Sequence, residues 1–198
     1  MSELVDTVYT ALEAGDLSHG DLSARRLCRL LGKTTGALYH HHGSLDALIF
    51  AVSQRGYADL SDHLAGVFAR ERDLAAVAEA FVAFGLDRPE LYACMFERRY
   101  DWAALRAAGV FDRPLESAAF IERVACVVEA AGSDDVDGDC RLLFAGLHGL
   151  VSLAASGRAN VGALDRSDRE VACEAAGALA RRILPSHLQD PPHTTTES

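Results

Sequence analysis

The chain has 198 residues, 49% of them hydrophobic, and a formal net charge of −10. That length suits one large domain or two small ones with a substantial core. No apolar run reaches the 18 residues of a spanning helix, and the start, MSELVDTVYTALEAGD, lacks the basic segment of a secretory signal, so a soluble cytoplasmic protein is expected. Cysteines stand at 28, 94, 126, 140 and 173, an odd number with no C-x-x-C pair. They read as small buried apolar residues rather than disulfides or a metal cluster.

Helical periodicity dominates in chain order. Val5, Val8 and Leu12, with Tyr9 beside them, predict a short amphipathic helix from Glu3 to about Ala14. Ser23 is placed to cap a second helix, Ala24 to Leu31, with Leu27, Leu30 and Leu31 as its apolar face and Gly32 as its stop. Thr34 can cap a third short helix to about His41, ended by Gly43. Ser44 then caps a long helix from Leu45 to about Arg70. Leu74 to Leu86 reads as a helix, and Pro89 opens another through Met95. The aromatic segment Phe96 to Asp112 is ambiguous. Pro114 opens a helix to about Ala131, Ser133 to Gly138 forms an acidic turn, and helices Asp139 to Ser156 and Ser167 to Leu184 follow. The polar tail 185–198 reads as disordered. The expected fold is all-α, about nine helices, with a small N-terminal unit (1–46) and a larger helical body (47–184).

Residues Leu22 to Leu45 break the acidic trend. Arg25, Arg26, Arg29 and Lys33 fall there with three consecutive histidines and no acid, while all 29 Asp and Glu lie elsewhere. A window cleared of negative charge suits a negative partner, DNA first. Helix, glycine turn, short helix is the helix-turn-helix pattern. Leu27, Leu31 and Leu38 can form its small shared core. The small residues Thr34, Thr35, Gly36 and Ala37 begin the second helix, where free N–H groups and the helix dipole favour phosphate.

The residues Leu22-Ser-x-Arg25-Arg26-Leu27-Cys28, Leu30-Leu31-Gly32, Gly36-Ala37-Leu38-Tyr39, His41 and Ser44-x-Asp46-Ala47-Leu48 resemble the TetR family of transcriptional repressors. The resemblance implies a three-helix DNA-binding head over 1–46, a homodimer and a double-stranded operator. It also implies DNA contacts from Arg25, Thr34, Thr35, Gly36, Ala37, Tyr39, His40 and His41. Lys33 departs from a usual buried Val or Ile, and so must snorkel or add a phosphate contact. His42 replaces a usual Phe and Leu45 a frequent Lys. The first 21 residues carry five acids and no Lys or Arg. Together these departures imply a weak electrostatic grip.

Arg88-Pro89-Glu90-Leu91-Tyr92, Met95-Phe96 and Phe144 to Leu153 with Leu147-His148-Gly149 resemble a ligand domain carrying a Trp-His-Gly signature, here without the Trp. The resemblance implies effector binding and dimerisation over 47–184. Tyr92, Phe96, Trp102, Phe120, Phe144 and His148 are the candidate effector contacts, with core packing as the competing reading for each. Gly146, Gly149, Ala172, Ala176 and Ala180 suit close helix packing, across a dimer or within one chain. Three adjacent histidines point about 100° apart on a helix, so they cannot share one metal ion. No cofactor or metal is expected, and no nucleophile–base pair, metal-ligand set or phosphate loop predicts an enzyme. The rival class is an all-helical small-molecule-binding protein or enzyme that does not bind DNA.

Overall fold

A computed structural model describes residues 3–32, 34–162 and 165–184, apart from the side chains of Thr35, Ala37, Tyr39 and His41. Lys33 and the tail 185–198 lie outside the described residues. Among those described there are ten α-helices and no strand. In order they are α1 (Glu3–Glu13), α2 (Ala24–Leu31), α3 (Thr35–His42), α4 (Leu45–Glu71), α5 (Leu74–Asp87), α6 (Pro89–Phe96), α7 (Trp102–Ala107), α8 (Glu116–Ala130), α9 (Val136–Ala155) and α10 (Asp168–Ile183). Short 3₁₀ turns lie at His19–Asp21 and Val110–Asp112. None of the described helices is long and apolar enough to cross a membrane.

The all-helical expectation holds, and the differences from it have local causes. The ambiguous aromatic segment contains α7, which Asp101 caps by accepting from the N–H groups of Ala103 (2.9 Å) and Ala104 (3.0 Å). Helix α9 begins three residues before Asp139, because Asp135 caps it through Gly138 N–H at 2.9 Å. The acidic turn is therefore partly a helix start, where carboxylates face the positive end of the dipole. Pro114 precedes α8 by two residues rather than sitting inside it.

The chain divides into two compact units. The first comprises Met1–Gly66 and Ala83–Phe120. Its core takes Val5, Val8 and Leu12 from α1, Leu27 from α2, Leu38 from α3 and Leu48, Ile49 and Val52 from α4. Helix α6 is buried on every side from Leu91 to Met95, as a central helix must be. Helix α4 passes close to α6 at Gly56, where a Cβ would run into the Met95 sulfur.

Polar ties join the head to the helices behind it. Arg55 of α4 pairs with Asp6 and lies 4.5 Å over the Tyr9 ring. Arg88 pairs with Glu13 at 3.0 Å. Glu90 accepts from the His19 N–H and meets its ring Nδ1, both at 2.8 Å. Burial opposes ionisation of Glu90, but the hydrogen bonds from His19 and Ser18 outweigh it and hold the carboxyl below its usual range. Asp6, Glu13 and Asp21, three of the five acids that thin the head's positive charge, thus have cationic partners, Asp21 through Arg26 at 3.0 Å.

The second unit comprises Val67–Val82 and Ile121–Ser198. Helices α9 and α10 pack along each other. Leu143, Leu147 and Val151 are buried on α9, with Ala172, Ala176, Gly177 and Ala180 on α10. A Cβ on Gly146 would collide with Leu179, so that glycine serves close packing within the chain. Ser167 and Glu170 form a reciprocal capping box at the start of α10.

Candidate nucleic-acid interface and effector region

The second and third helices owe their form to a few residues. Ser23, in extended backbone, accepts from the Arg26 N–H at 3.3 Å and starts α2. Gly32 ends it in the left-handed conformation (φ 59, ψ 27) that glycine adopts without strain. Helix α3 begins three residues later, and Leu27 and Leu38 are fully buried where α2 meets α3. The start and end of α2 and its packing on α3 thus rest on one cap, one glycine and two leucines.

Leu30 does not join the apolar face expected of it; it is 44% exposed. The inward side of α2 is centred on Leu27 and Cys28, and Leu30 is turned well away from that direction. Arg25, Arg26 and Arg29 are exposed, as are Thr34, Gly36 and His40. The head therefore presents cations on α2 beside an acid-free α3.

Ser44 starts α4 by accepting from the Ala47 N–H at 3.0 Å. Two residues on, Asp46 uses both carboxylate oxygens. Oδ1 accepts from Arg98 at 2.9 Å and Oδ2 from the Asp101 N–H at 2.9 Å. The α3–α4 turn also meets the C-cap of α7, since a Cβ on Gly43 would touch that of Ala108 at 3.4 Å. The segment between α6 and α8 thus rests against the foot of the head.

Behind that contact lie two aromatic groups. Phe50 meets Tyr100 edge-on at 5.4 Å, with Trp102 at 6.3 Å and Phe111 at 6.2 Å. Ala47, Phe50 and Leu105 form a buried core there. Tyr57 meets Phe96 at 5.2 Å and Phe120 at 5.8 Å, and Tyr92 lies 4.7 Å from Phe96. Burial pushes the Tyr57 hydroxyl up to about 12, with Cys94 adding to the effect, so it remains a donor, here to the Met95 carbonyl at 3.2 Å. Burial likewise pushes the Cys94 thiol up to about 11, which makes it a poor nucleophile.

The six candidate effector contacts therefore fall in three places. Tyr92, Phe96 and Phe120 gather around Tyr57. Trp102, 58% exposed, belongs to the Phe50 group. Phe144 and His148 belong to the second unit, where their rings stack on each other at 5.7 Å on α9. Phe50 and Gln54, both on α4, were not singled out by the sequence, and Asp46 figured there only within a motif at the start of that helix. The available signal was spacing, because residues 50, 54 and 57 recur on one helical face.

Two short helices, α2 and α3, thus precede a body whose regular elements are helices among the described residues. Residues 74–181 match the family described as the tetracycline repressor-like C-terminal domain, and the chain belongs to that family of regulators. A structure of a protein with unknown function from Rhodococcus sp. RHA1 is similar, with 24% identity and TM-score 0.63 over 93% of this chain and 97% of that one. So is the crystal structure of "the putative transcriptional regulator from Pseudomonas aeruginosa PAO1", with 20% identity and TM-score 0.56 over 91% of each chain. At these identities the likeness concerns the fold. No curated protein matches the chain.

Proposed function

We propose that the protein is a ligand-responsive transcriptional repressor that acts in the cytoplasm as a homodimer on a palindromic operator. Each head places α3 in a major groove. The observation that carries the reading is the exposed, cation-bearing α2 followed by an acid-free α3 in a chain of net charge −10. Arg25, Lys33, Tyr39 and His41 hold the phosphates, with Thr34 at the helix start. Thr35, Gly36, Ala37 and His40 face the bases. The two heads read half-sites about one helical turn, or a multiple of one, apart. A small, largely apolar effector binds in the helical body and favours a form whose heads miss that spacing. It releases DNA only through its differential affinity for the two forms.

The test is a gel shift with the DNA upstream of the protein's own coding region, without effector. A shift that weakens steeply with salt is the expected result. Arg25→Ala and Tyr39→Phe should each weaken binding about tenfold, as expected for loss of a hydrogen bond to a charged phosphate, while the dimer persists. Wild-type affinity in both variants would overturn the docking. Failure to bind any palindromic genomic fragment at low salt would favour a small-molecule-binding protein or enzyme instead.

A further inference from the structure

We propose that the first unit binds an uncharged, largely apolar carbonyl compound, with the side-chain amide of Gln54 as its hydrogen-bond donor. The assignment gives the effector a chemistry and so rests on the ligand-responsive reading above, but it concerns a site that can be measured without DNA.

Gln54 lies on α4, four residues after Phe50 and three before Tyr57, on the face those two aromatics share. Its Oε1 accepts from the backbone N–H of Ser117 at 3.0 Å and from the Ser117 hydroxyl at 3.2 Å. Ser117 is in the first turn of α8, where N–H groups have no partner inside the helix. Gln54 is therefore a cap supplied from another helix. This also fixes the amide's direction. A backbone N–H can only donate, so the oxygen must face Ser117 and the NH₂ must face away from it. That nitrogen is buried and has no hydrogen-bond partner among the described residues. A buried donor left unmet is a standing cost that a bound acceptor removes.

The surroundings define the rest of the ligand. The Phe50 group lies to one side of Gln54 along α4 and the Tyr57 group to the other. Trp102 and Phe111 are partly exposed and stack at 6.3 Å, an aromatic edge that solvent reaches. Aromatic walls of this kind take flat apolar surface. A second buried donor without a partner among the described residues, Arg98 Nε, borders the same group, since the Arg98 guanidinium lies 5.6 Å from the Tyr100 ring centre. The charge of Arg98 is already met by Asp46. A carboxylate would therefore be buried against a neutral amide and a balanced cation, at a large desolvation cost. A neutral carbonyl has no such cost, and its oxygen satisfies Gln54.

The probe pair is 1-indanone and indane, which share one skeleton with and without the carbonyl. Each is titrated into the free protein, reading the indole N–H resonance of Trp102, the chain's single tryptophan. Saturable shifts are expected, with the ketone binding about fivefold to tenfold more tightly, the worth of one hydrogen bond to an otherwise unmet donor. Gln54→Glu keeps an oxygen for Ser117 and removes the donor, and it should abolish that preference. Gln54→Met should do the same, with the spectrum of each variant reporting that it is folded. Equal affinity for the two probes overturns the proposal, as a donor already satisfied by solvent would give. So does a preference that survives both substitutions, or the absence of saturable shifts with either probe. A failed gel shift with a successful titration rejects the DNA reading alone; the reverse rejects this site alone.

Discussion

Asp46 is the second residue of α4 and stands where the positive end of a helix dipole favours a carboxylate. Both its oxygens are nevertheless committed to the segment after α6, and both Asp46 and Arg98 are largely withdrawn from solvent. Asp46→Ala strands a mostly buried guanidinium whose Nε already has no partner among the described residues. The variant should lose about 1–3 kcal/mol, the cost of an unmet charged hydrogen bond discounted for residual exposure. Asp46→Asn, which can still accept one of the two bonds, should lose less. Urea denaturation measures both, and an unchanged midpoint for Asp46→Ala would mean the pair is worth no more than an exposed one. The sequence displayed Asp46 only as part of a helix-start motif. Its partners lie 52 and 55 positions away, and those of Gln54 lie 63 away, where periodicity carries no information.

The helices themselves were readable because their ends are written locally. Ser23, Ser44, Pro89 and Ser167 mark helix starts through hydrogen bonds or fixed torsions that need no distant partner. Helix α7 escaped notice because it is only six residues long, too short for an apolar period to show, and lies between the aromatics Tyr100 and Phe111. The start of α9 was misplaced because aspartates serve turns and caps alike. Gly32 is the most exacting of these local signals. At φ 59 an alanine carries a Cβ penalty that glycine avoids, although nothing lies within 4 Å to obstruct that Cβ. Gly32→Ala should therefore destabilise the protein by about 1 kcal/mol through backbone strain alone. It should also slightly misalign α3, so DNA affinity should fall by more than the loss of stability requires. Thermal unfolding and gel shift on the same preparation separate the two effects.

At the scale of the molecule, the fold leaves a stripe on the outer side of α9. Leu142 and Leu153, 60% and 45% exposed, lie almost in line along the helix, with Ala145, Gly149 and Ser152 between or beside them. A Cβ added at Gly149 would meet open space. A second copy docking there would cover the leucines and approach closely across the small residues. Leu142→Arg with Leu153→Arg should give a folded monomer in sedimentation that no longer shifts operator DNA. A dimer that survives would place the interface elsewhere. The sequence showed the small residues but could not divide them between internal packing, as at Gly146, and an outward surface, as at Gly149; neighbours in space decide that. The ties between the head and the helices behind it carry a practical consequence for building chimeras. Asp6, Glu13, His19 and Asp46 find their partners in Arg55, Arg88, Glu90 and Arg98, all beyond residue 46. A graft of residues 1–46 onto a relative's body would leave all four behind. A working hybrid must bring those four partner positions along with the borrowed head.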